Sequence, residues 1–216
     1  MITSKEYHVF RFMDFNNEVK AVSDYCNGEL LYDYINRDDI NKTQILRLIK
    51  DVAWTLDKYR EAFEKCPYGG VNPYNVLITK EGEVLLLDMN ERSNDFVELK
   101  MQCNTMKDNF YTAYNKICVE SEIDVDIFTY AVTVGYIMAT VSKKVKFTKY
   151  EQKRIMKIVS RCIGIKRTVY TDFKGIKIDL KKYIDEDYKR VQKKTTAAIT
   201  ILVLLLVILS FVSVSF

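Results

Sequence analysis

The 216-residue chain is long enough for one domain with a sizeable core plus short extensions. Its 33 Lys and Arg against 29 Asp and Glu leave a formal charge of +4, too balanced for a nucleic-acid footprint. A single histidine, His8, excludes any centre built on two imidazoles, and five dispersed cysteines (Cys26, Cys66, Cys103, Cys118, Cys162) predict free thiols in a reducing compartment.

The first residues form no apolar run, so no secretory signal is predicted. Val9–Met13 and Val19–Val22 read as two strands joined by the turn at 14–18. Ser23–Ile35 then holds Gly28 ahead of a short amphipathic helix. Asn41 is a predicted helix cap, with Gln44 three residues on as a partial capping box. From there Ile45, Ile49, Val52, Leu56, Tyr59 and Phe63 recur at steps of four and three, which makes one apolar face for core packing. Trp54 lies off that seam and is expected to make a second packing contact.

The most informative stretch follows. Gly69-Gly70-Val71-Asn72-Pro73-Tyr74-Asn75 is a polar turn ahead of the apolar Val76-Leu77-Ile78. A turn at 79–83 leads into Val84–Leu87, and Asp88 stands where that second strand ends. Such a hairpin can bring Asn75 and Asp88 to one end, and an amide oxygen beside a carboxylate suits a hard cation such as Mg²⁺. Residues 91–122 are polar without clear periodicity. Asp126–Thr140 is apolar nearly all round and predicts a buried helix; Asp126 suits its N-terminal cap position. Further helices are predicted over 150–159 and 173–183.

The segment 185–194 is a charged, basic linker, and 195–216 carries no charge. At about 1.5 Å per helical residue, that apolar stretch matches a bilayer core of about 30 Å and predicts a single transmembrane tail anchor. Lys189, Arg190, Lys193 and Lys194 flank it, which by the positive-inside rule places the folded part in the cytoplasm.

In order and spacing the chain from Val9 to Tyr183 resembles the protein-kinase family. Asn72-Pro73-Tyr74-Asn75 followed by Asp88-Met89-Asn90 is similar to that family's catalytic loop, H-R-D-L-K-P-x-N, and its metal loop, D-F-G. Ser23–Ile35 resembles the hinge, and Asp126–Thr140 resembles the central helix whose leading Asp holds the catalytic-loop backbone. The resemblance implies an α+β, mostly helical fold: a kinase-like large lobe over 1–184 with a truncated small lobe, ahead of the membrane segment. It implies that Asn75 and Asp88 are metal positions, that Asp126 is structural, and that Arg167 pairs with Glu120 or Glu122. It also implies that the catalytic base position is held by Gly70 and the neighbouring Arg position by Gly69.

The glycine-rich phosphate loop and the strand lysine with its helix glutamate have no counterpart. A kinase-like domain beside one membrane helix also looks like the pseudokinase membrane component of bacterial type VII secretion. Two functional classes follow. One is a membrane-tethered pseudokinase that binds protein partners at the cytoplasmic face without efficient phosphoryl transfer. The other is an atypical ATP- and Mg²⁺-dependent phosphotransferase, of serine/threonine-kinase type, that uses Asn75 and Asp88 with a base such as Asp24 or Glu91.

Overall fold

The computed structural model describes residues 6–101, 123–166 and 168–183. The chain opens with a long ribbon, β1 (Glu6–Phe15) and β2 (Glu18–Asn27), paired along its whole length from Glu6↔Asn27 to Phe15↔Glu18. Its tight turn is Asn16-Asn17, both at positive φ (50° and 64°), a conformation that asparagine tolerates and that matches strand twist. A two-residue strand β3 (Glu29–Leu30) leads straight into the short helix α1 (Leu31–Asn36).

Helix α2 (Lys42–Ala62) begins at a complete capping box, in which Asn41 and Gln44 each accept from the other's backbone N–H. Ile45, Ile49, Val52 and Leu56 are buried along it. The seam ends in an aromatic cluster, where Tyr59 and Phe63 both meet the Phe10 ring at 5.4 Å. Trp54 makes its second contact with cations, lying under Lys50 and Lys177.

Strands β4 (Val76–Ile78) and β5 (Val84–Leu87) form the predicted hairpin, wholly buried. A 3₁₀ turn at Arg92–Asn94 and helix α3 (Asp95–Met101) follow. Helix α4 (Val125–Val141) is buried on most sides, and α5 (Lys149–Cys162) starts at a second capping box, Thr148 with Glu151. Contacts divide the chain into two units, 1–178 and 179–216. Residues 173–178 are helical and close the first unit; of the second, 179–183 are described and are helical.

The strand ribbon and the hairpin join: β1 pairs with β5 at Val9↔Leu87 and Phe10↔Leu86, giving one antiparallel sheet of order β2-β1-β5-β4-β3. The reason is that β5 is apolar at every position, and its free edge needs a partner as buried as Val9 and Phe10. One expectation is corrected: the transmembrane helix, and with it the single-pass placement with a cytoplasmic domain. Among the described residues no helix is long and apolar enough to cross a membrane, and the expected span at 195–216 lies outside them. The long helices that are described commit their apolar faces to the core: α2 is two-faced, and the 17-residue α4 turns Asp126, Thr129 and Thr133 inward to polar partners.

Candidate functional site

The loop 68–75 is held by one carboxylate. Asp126, fully buried in the first turn of α4, accepts the backbone N–H of Tyr68 (2.8 Å), Gly69 (3.0 Å) and Gly70 (3.1 Å). Three successive amides reach one side chain only because the chain turns sharply, and Gly69 and Gly70 supply that turn with φ of +95° and +116°. The cap of α4 is a different residue: Asp124 accepts from Asp126 N and Ile127 N and pairs with Arg60 at 2.6 Å. Thr129 extends the grip by accepting Val71 N (3.0 Å), and Thr133 donates to Val71 O (3.0 Å). Burial pushes the Asp126 carboxyl above its ordinary value, against the pull of the Tyr68 and Gly70 amides.

Asn75 is spent inside the same loop. Its Oδ1 accepts from Asn72 N (2.8 Å) and its Nδ2 donates to Gly70 O (2.9 Å), with the side chain buried. Asn72 in turn accepts from Tyr74 N (2.9 Å). The hairpin brings Asn75 beside the end of β5, where its carbonyl accepts Leu87 N (3.0 Å) and the Tyr68 hydroxyl donates to Leu87 O (2.8 Å).

Asp88 faces a different set of partners. Its N–H donates to His8 O (2.9 Å), which continues the β1–β5 ladder by one residue. Asn94 ties the same corner, donating to both His8 O and Asp88 O at 2.8 Å. The buried Asp88 carboxylate accepts Asn90 N (3.1 Å) on Oδ1 and the Ser23 hydroxyl (2.8 Å) on Oδ2. Ser23 Oγ also lies 2.7 Å from His8 Nδ1. A hydroxyl has one proton and an ionised carboxylate can only accept, so Ser23 donates to Asp88 and takes the Nδ1–H of His8. The neutral ring in this network is therefore the Nδ1–H tautomer.

The sheet thus brings His8, Ser23 and Asp88 together, with the exposed Glu91 close by: His8, Asp88 and Glu91 each offer a ligand atom within 4.8 Å of the others. The Asn75 and Asp88 side chains share one end of the hairpin but engage separate partners. Asp24 stands away from this group, 3.5 Å from Arg11 on the ribbon surface. Arg167, Glu120 and Glu122 lie outside the described residues. His8 carried no signal in the sequence, because only the β1–β5 register puts it beside Asp88. Compared with protein-family models and with curated proteins, the chain matches none.

Proposed function

We propose that this chain is a degenerate kinase-like module that binds a protein partner and does not transfer phosphate efficiently. The observation that carries this reading is the Asp126 carboxylate gripping the amides of Tyr68, Gly69 and Gly70. A helix-borne carboxylate clamping the loop ahead of an Asn-Pro-x-Asn turn is the arrangement that the kinase resemblance implies. The same loop carries Gly70 where that family has its base, and a positioned base is worth about 10²–10⁴-fold in rate. Asn75 directs both side-chain atoms into the loop rather than toward Asp88. The scaffold is kept and the chemistry is gone.

A surface for a partner is present in the ribbon. Strand β2 is the outer strand of the sheet, ten residues long, and among the described residues no strand pairs with its outer edge. Tyr25 and Val22 are exposed along it, and Met13 and Phe15 near the ribbon tip. Such an edge suits a partner that adds an extended segment as a further strand.

Two measurements on the full chain test the reading. Thermal unfolding with ATP and Mg²⁺ is expected to show no rise over either alone, since a ligand bound to the native state must stabilise it. Transfer of labelled γ-phosphate to the chain itself or to a general protein acceptor is expected to be absent. Transfer that disappears in Asp88→Ala would establish the phosphotransferase alternative instead.

A further inference from the structure

We propose that His8, Asp88 and Glu91 form a binding site for one first-row transition-metal ion, with Mn²⁺ as its working probe. The inference does not rest on the kinase-like reading, because it is drawn from the position of the three side chains alone and His8 has no role in that reading.

Three elements supply the ligands. His8 comes from β1, Asp88 from the end of β5, and Glu91 from the turn leading into the 3₁₀ segment. Their ligand atoms lie within 4.8 Å of one another. An ion bonded at about 2.0–2.2 Å to two ligands holds them no more than about 4.4 Å apart. His8 Nδ1 and Asp88 Oδ2 already meet that limit at 3.9 Å. Glu91 is exposed, and its side chain is free in length to close the remaining gap.

The fixed pair is also pre-positioned. Asn94 and the Asp88 N–H lock the two backbones together, Asn90 N holds one Asp88 oxygen, and Tyr25 packs edge-on against the His8 ring at 4.6 Å. Oriented ligands with hydrogen-bonded support are what metal sites use to hold geometry and affinity. Ser23 Oγ, 2.7 Å from Nδ1 and 2.8 Å from Oδ2, is an additional oxygen on the same side. Coordination through Nδ1 moves the ring proton to Nε2, so the imidazole stays neutral and no proton is released.

The donor set decides the class of ion. One imidazole and two carboxylates suit Mn²⁺, Fe²⁺ or Zn²⁺, whereas Mg²⁺ and Ca²⁺ favour oxygen ligands alone. Mn²⁺ is the useful probe because thiolates bind it weakly, which keeps the exposed Cys66 out of the measurement.

The test uses the chelator-stripped full chain without nucleotide. Titration with MnCl₂, followed by loss of the free-ion electron paramagnetic resonance signal, should show one saturable site, with a matching rise in melting temperature. MgCl₂ at the same concentration should give neither. Glu91→Gln alters an exposed side chain, so its metal-free melting temperature should be unchanged while Mn²⁺ affinity falls by about tenfold or more. His8→Gln should abolish the site. Equal Mn²⁺ affinity in the wild type and Glu91→Gln, or an equal response to Mg²⁺, would overturn the proposal.

Discussion

Asp126 is the residue on which the loop depends. Asp126→Ala would leave the buried Gly70 amide and the half-buried Tyr68 amide without a partner, each costing roughly 1–3 kcal/mol, while the amide of the exposed Gly69 can turn to water. The expected loss is therefore on the order of 3 kcal/mol or more in urea unfolding, with faster amide exchange at 68–70. Asp126→Asn keeps one acceptor oxygen and should fall between the two. Glu151 offers a pH-dependent counterpart. Burial alone would raise its carboxyl, but the Lys42 ammonium at 2.7 Å and the Thr148 amide hold it below the ordinary value. A depressed carboxyl stabilises the fold above its unfolded-state value and loses that contribution as pH falls through the folded one. Wild type should thus exceed Glu151→Gln in stability at pH 7, and the gap should close as the medium is taken below pH 4. Unfolding curves across that range check it.

At the scale of elements, what could be read in the sequence was local. The Asn41–Gln44 box and the seam from Ile45 to Leu56 are set within a few residues of each other, and α2 begins and packs as they indicate. The hairpin at 76–87 is announced by its turn and its unbroken apolar strands. The β1–β5 pairing had no such signal, because register between distant strands depends on which buried edges remain to be matched. The cap of α4 was ambiguous for a related reason. Asp124 and Asp126 have equal local preference, and only the approach of 68–70 separates cap from clamp. Gly28 marks another non-local junction. A Cβ there would lie 2.7 Å from Ile78 O and 2.8 Å from Leu77 Cγ, where β3 meets β4. Gly28→Ala should cost about 1–3 kcal/mol by overpacking, measurable by chemical denaturation.

For the whole molecule, the kinase-like reading makes a restoration experiment informative. Gly70→Asp returns a carboxylate to the base position, yet the residue sits at φ +116°, where a side chain is strained by about 1–2 kcal/mol. On that reading no residues of this sequence correspond to the phosphate-binding loop and its lysine. The variant should melt lower than wild type and show no phosphoryl transfer. Buried Cys162, whose thiol is pushed up to about 12 by burial, belongs to the same frame as an inert packing residue. It should resist alkylation under native conditions while the exposed Cys66 reacts, which mass spectrometry of iodoacetamide-treated protein would show.

The pairing of Val9 with Leu87 also orders events during synthesis. The β1–β2 ribbon can close as soon as Asn27 has left the ribosome, since all of its partners lie within that span. Its inner edge then waits for some sixty further residues, among them the whole of α2, before β5 exists to cover it. In that interval Val9 and Phe10, buried in the finished fold, are paired with β2 on one side and still lack β5 on the other. A nascent chain stalled just after α2 is therefore the species most exposed to edge-to-edge association, and the one that ribosome-bound chaperones should engage most strongly.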